Sequence, residues 1–157
     1  MGRKQASVYS CCCRVQGMPC PTIDSKLSFL FPLAVICGRR QKFLERSASI
    51  LERETGKICK WKVCDVRDPK ACEDAVQYTF GMFSRLDILV NGAAGNFLAE
   101  AKSLKPKGFA TVMSIDALGT FNMCSAAFPA LAKSAKDRTT SDDAIVINIS
   151  GKRRCLY

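Results

Sequence analysis

Histidine is missing altogether from the 157 residues. That removes a frequent metal ligand and the side chain that most readily trades protons near neutral pH. No two of the ten cysteines stand in C-x-x-C spacing. A zinc site would have to be built from four scattered thiolates, so no metal is expected. Cysteines 11, 12, 13, 20, 37, 59, 64, 72, 124 and 155 read instead as buried or idle thiols of a reducing compartment. No apolar run reaches the roughly 20 residues of a membrane span. The longest, Leu27 to Cys37, is interrupted by Pro32 and is followed by no small-residue cleavage site. Met1-Gly2 is followed by Ala6 where a myristoylation signal carries serine or threonine.

Positive charge is plentiful, at a formal +10, but it is unevenly placed. Residues 1–62 carry 12 Lys/Arg against 4 Asp/Glu, residues 63–151 carry 9 against 10, and Lys152-Arg153-Arg154 add the last 3. The middle is therefore about neutral. No nucleic-acid motif accompanies the basic ends, so no nucleic-acid partner is expected. Hydrophobic residues make up 48%, enough for one core.

Residues 1–32 show no clean period and read as a poorly ordered leader. From Leu33 a pattern begins. Leu33 to Cys37 is a short apolar run suited to a strand buried on both faces. Phe43, Leu44, Ala48 and Leu51 recur at helical spacing over about 40–55, and Gly56 suits the helix end. Ile58 to Val66 predicts a second strand. Asp68-Pro69 is a helix start, with the helix running to about Phe83. Leu86 to Asn91 predicts a third strand. A long helix follows over about Lys107 to Ala132, with Pro129 near its end. Ala144 to Ile149 predicts a fourth strand, after a polar loop from Lys136 to Asp143.

This alternation predicts an α/β doubly wound parallel sheet with helices on its faces. Ligands of such sheets bind beyond the carboxyl ends of the strands. Four strand ends matter: Gly38-Arg39-Arg40, Asp65-Val66-Arg67, Asn91-Gly92-Ala93-Ala94-Gly95, and Asn148-Ile149-Ser150-Gly151. Arg39 and Arg40 stand where such a fold meets the ribose of adenosine, and arginine there suits a 2′-phosphate. The plainer alternative is a solvated arginine pair opening a helix. Asp65 can accept from an adenine amino group, or can simply cap a turn. The small residues Asn91 to Gly95 let a flat ligand approach the backbone.

The strings DILVNGAAGNF, CDVRD, AVICGRR and TVMSIDALGTFNMC together resemble the short-chain dehydrogenase/reductases. They look most similar to the 2,4-dienoyl-CoA reductases of peroxisomes, over about residues 33–150. The resemblance implies a Rossmann-like domain and the reduction of a 2,4-dienoyl-CoA to a 3-enoyl-CoA by NADPH, within fatty-acid β-oxidation. It implies that Arg39 and Arg40 meet the 2′-phosphate, that Asp65 and Val66 meet the adenine, and that Asn91, Gly92, Ala93, Ala94 and Gly95 line the ribose region. Arg39 and Arg67 would lie near the CoA phosphates and Phe97 near the acyl-CoA. Asp116 stands at the position of the acid that works with a lysine to activate a water; most of the superfamily has asparagine there. The alternative for Asp116 is a polar helix residue bonded to a neighbouring strand.

The pattern breaks twice. Residues 1–32 hold only Gly2 and Gly17, so the glycine-rich turn for the pyrophosphate is absent. No Tyr-x-x-x-Lys follows Ser150, and Gly151 holds the place of the serine many members use. The expectation is a partial domain that lacks its first βα unit and its C-terminal part, with a gap or exposed edge in the sheet. It runs from 33 to 150, with an atypical tail over 151–157. Such a chain is expected to be inactive alone. A 3-oxoacyl-type reductase and a non-catalytic partner of a full-length reductase are the alternatives, the second because members oligomerise through long helices. The resemblance implies the peroxisome. The absence of a C-terminal Ser-Lys-Leu points this chain to the cytosol.

Overall fold

The computed structural model describes residues 6–12, 33–95, 100–136 and 143–149. Strand β1 spans Ala6–Cys12, β2 Leu33–Gly38, β3 Ile58–Val63, β4 Ile88–Ala93 and β5 Ile145–Asn148. Helix α1 spans Gln41–Thr55, α2 Pro69–Phe83, α3 Pro106–Asp116 and α4 Leu118–Lys136. A single 3-10 turn, Ala101–Ser103, precedes α3. The strands form one parallel sheet in the order β3-β2-β1-β4-β5.

That order corrects one expectation. Residues 6–12, read as part of a disordered leader, form the central strand. Val8 pairs in register with Val35 on one side and with Leu89 on the other. The sheet therefore has no gap between β2 and β4. The rest of the expected leader, residues 13–32, lies outside the described residues, as does the tail 151–157.

Alternation along the strands sends side chains to two faces. Ala34, Ile36, Ile88 and Val90 meet Leu44, Ala48 and Leu51 of α1 on one face. Val35, Cys37 and Leu89 meet Cys72, Ala75, Val76, Met123, Ala127 and Leu131 from α2 and α4 on the other. Helices thus cover both faces, as the sequence pattern predicts. The local signals hold too. Gly56 ends α1 at φ +65°, which a side chain would resist. The Asp68 carboxylate accepts from the Lys70 N–H at 3.0 Å and Pro69 opens α2.

The single helix expected over 107–132 is two, meeting at Ala117. Pro129 lies inside α4, which continues to Lys136. The start of β4 is fastened from two sides. Arg85 grips the fully buried Asp87 carboxylate with bonds of 2.8 and 2.7 Å. Ser134 Oγ of α4 accepts from the Leu86 N–H at 2.8 Å.

Candidate functional site

In the order 3-2-1-4-5, successive strands build outward in one direction up to β3 and then in the other from β4. The crevice at that reversal lies at the carboxyl ends of β1 and β4, flanked by the end of β2. The candidate residues fall on these ends in two groups.

The first group belongs to β2 and β3. The chain leaves β2 at Gly38, whose carbonyl accepts from the Cys64 N–H at 2.8 Å and ties the two strand ends together. Arg39 and Arg40 follow, both exposed. They precede the first turn of α1, which carries no acidic residue. The positive end of the helix and two guanidinium groups make this corner electropositive. Arg40 stacks over the Phe43 ring, 4.0 Å from its centroid.

Asp65 is half-buried and tightly engaged. Arg67 donates to it from Nε at 2.9 Å and from its backbone N–H at 3.1 Å, and forms an ion pair with it through its terminal nitrogen. These bonds hold the Asp65 carboxyl below the usual carboxylate range, and the positive charge of Arg39 adds to the effect. Arg39, Asp65 and Arg67 are therefore brought together. Val66 between them is buried.

The second group belongs to β4. Asn91 is buried, and its Nδ2 donates to Asn148 Oδ1 at 2.9 Å and to Cys124 Sγ at 3.2 Å. Its Oδ1 is a buried acceptor with no hydrogen-bond partner among the described residues. Gly92 and Ala93 end the strand; Ala94 and Gly95 lead away from it. Asp116, the last residue of α3, reaches this loop: its Oδ1 accepts from the Gly95 N–H at 2.7 Å. A Cβ on Gly95 would press on the Ile115 side chain, whose tip would have to move, so a small residue suits this approach to the helix. Phe97, Ser150 and Gly151 lie outside the described residues.

Asn148, at the fourth of the candidate strand ends, pairs with Asn91 across the β4–β5 ladder. Two residues bearing on the site escaped the sequence reading. Gly119 and Asn122 of α4 approach Val66. The available signal was a glycine inside a helix. Such a glycine costs about 1 kcal/mol against alanine and marks a close approach.

Beneath the first group lies a set of buried thiols, Cys37, Cys64 and Cys72. Burial, with Cys72 adding to it, pushes Cys37 up to about 12. Its hydrogen bond with Cys72, together with burial, pushes Cys64 upward too. These thiols behave as core, as the composition suggested.

Residues 32–152 match the family described as short chain dehydrogenase. The chain belongs to the short-chain dehydrogenase family. Among curated members of that family it is 48% identical over 116 residues to the peroxisomal 2,4-dienoyl-CoA reductase [(3E)-enoyl-CoA-producing] of Arabidopsis thaliana, covering 73% of this chain and 39% of the relative. The corresponding Saccharomyces cerevisiae protein is 35% identical over 121 residues, covering 75% and 41%. The chain thus spans about two fifths of the length of these relatives. Solved structures agree in fold. A putative short-chain dehydrogenase/reductase from Burkholderia xenovorans superposes with TM-score 0.79 at 17% identity, covering 96% of this chain and 60% of that one. An RhlG/NADP complex of Pseudomonas aeruginosa gives 0.76 at 21%, covering 94% and 57%.

Proposed function

We propose that this short-chain dehydrogenase chain carries the adenosine side of an NADPH site in a 2,4-dienoyl-CoA reductase. The observation that carries the reading is the identity to the Arabidopsis reductase over a stretch that includes most of the candidate strand ends. The site chemistry fits the dinucleotide. Arg39 and Arg40 beside an acid-free helix start suit the 2′-phosphate. Asp65 supplies an acceptor for the adenine amino group, and the small residues Asn91 to Gly95 admit the ribose. NADPH, when bound, would supply the hydride that reduces the diene. Arg39 and Arg67 would hold the CoA phosphates, and Phe97 the acyl chain.

Asp116 is the proposed acid of the relay. With Oδ1 held by the Gly95 N–H, the other carboxylate oxygen is the one offered to a water. The relatives named as peroxisomal set the expected context, fatty-acid oxidation in that organelle. Among the described residues no helix is long and apolar enough to cross a membrane.

The 157-residue chain contains no Tyr-x-x-x-Lys, and we expect it to bind cofactor without turning over substrate. The test is a fluorescence titration with NADPH and NADH, followed by a dienoyl-CoA assay. Preference for NADPH that Arg39→Glu abolishes supports the reading. Equal affinity for both cofactors sinks the 2′-phosphate assignment, and dienoyl-CoA-dependent NADPH oxidation sinks the expected inactivity. A second reading is favoured by the exposed apolar side of α4, with Leu118, Phe121 and Phe128. In it the chain joins a longer reductase subunit as a non-catalytic partner, and co-purification with such a subunit decides it.

A further inference from the structure

Helix α4 reaches the adenine side of the candidate site through residues that the reading above does not use. Asn122 is 7% exposed, and its Nδ2 donates to the Val66 carbonyl at 2.9 Å. Gly119, one turn earlier, faces the Val66 side chain. A Cβ there would lie 2.5 Å from Val66 Cγ2 and 3.0 Å from Val66 Cβ. From α2, Cys72 Sγ approaches the same carbonyl at 3.6 Å, a weak thiol contact. Val66 is thus pinned from one side by an amide and from another by a glycine-lined face. Its neighbours Asp65 and Arg67 are left to turn outward.

A buried amide is costly unless its hydrogen bonds are made. A leucine at 122 has the same branched skeleton and would suit the apolar core without needing a partner. What the asparagine adds is a strong donor aimed at one carbonyl of one loop. That loop holds the proposed adenine acceptor.

We propose that Asn122 is a positioning residue for cofactor binding: it holds the Asp65–Arg67 loop in the shape that presents Asp65 and the Val66 backbone to the adenine. Gly119 serves the same end by letting α4 close on Val66. The inference rests on the cofactor reading above.

The test uses the full 157-residue chain, its Asn122→Leu variant and its Gly119→Ala variant. NADPH and 2′,5′-ADP are titrated by calorimetry, and amide exchange is followed by mass spectrometry. Loss of one such hydrogen bond corresponds to roughly a fivefold weakening. We expect that loss for both ligands in Asn122→Leu, with faster exchange confined to residues 65–68. A purely stabilising asparagine would instead speed exchange along α4 and β4 alike. Affinities within twofold of the unmodified chain, with unchanged loop exchange, overturn the proposal. If the unmodified chain binds neither ligand, the cofactor reading fails for this chain. Loop exchange then decides whether Asn122 holds Val66. Should Asn122→Leu not fold, Gly119→Ala carries the test, and unchanged loop exchange in it also overturns the proposal.

Discussion

At one edge of the sheet β3 sets Lys60, Trp61 and Lys62 in its middle; at the other, β5 sets Ile145, Val146 and Ile147 in solvent. Lys60 bonds Glu52 of α1 at 3.0 Å, and Lys62 lies 5.5 Å from the Tyr78 ring of α2. A side chain from each helix beside β3 therefore engages its lysines, and those lysines discourage another strand from pairing. Strand β5 is held along its β4 side, where the Ile145 and Ile149 N–H groups bond Asp87 and Asn91 carbonyls. All four of its residues are exposed, and none is charged. The difference separates the two jobs of a parallel sheet. Ladder hydrogen bonds are enough to place a strand, but only covering layers bury it.

Four substitutions and a pH series test this difference between the edges. The largest effect is expected at the boundary between the halves. Arg85→Ala takes the ion-pair partner from buried Asp87 and should cost about 4 kcal/mol in urea denaturation. A loss under ~1 kcal/mol would mean that the β4–β5 side does not depend on this pair. Next comes a paired truncation. Leu89→Ala, fully buried in β4, should cost about 3 kcal/mol. Ile147→Ala on β5 should stay within about 0.5 kcal/mol. Equal costs would show that β5 is covered in solution. Third, Asp68→Ala removes the cap of α2 and should cost about 1 kcal/mol.

The smallest effect is expected on acidification. Arg67 holds Asp65 below the usual carboxylate range. Burial pushes Glu52 up, but Lys60 and the Cys59 N–H outweigh it and leave Glu52 lowered as well. Carboxyls depressed on folding stabilise above their unfolded values of about 4 and lose that contribution as pH falls further. Both lie on the β3 side, so acid should loosen that edge first, read by Trp61 fluorescence. Cys37, raised to about 12, has the opposite sign. Its contribution is whole below about 8.5 and is lost as pH rises toward its folded value. A melting temperature unchanged between pH 8 and 11 would contradict its burial.

Much of the fold was legible because its signals are local. Gly56, Asp68-Pro69 and the 44-48-51 spacing each act within one or two turns of chain. The break at Ala117 was not legible, since both halves of that segment keep helical spacing across it. The candidate site divides in the same way. Strand ends announce themselves by small and polar residues after an apolar run, which is how Arg39, Asp65 and Asn91 to Gly95 were found. Their partners stand far along the chain: Asn122 is 56 residues from Val66, and Asp116 is 21 from Gly95.

Local properties of the chain are enough to make it a parallel α/β protein with charged and glycine-bearing strand ends. Periodicity, caps and turns are short-range properties of the backbone. The central place of Ala6–Cys12 emerges solely from the assembled sheet. Its seven residues, ASVYSCC, show no apolar run, and its place is fixed by ladders to β2 and β4 on either side. Every residue but proline carries a backbone N–H and a C=O, so pairing of this kind leaves little trace in side-chain pattern. The assembled fold likewise settles that Asn122 bonds Val66, that Asp116 holds Gly95, and that β5 stands uncovered among the described residues. Each depends on which elements come together in space.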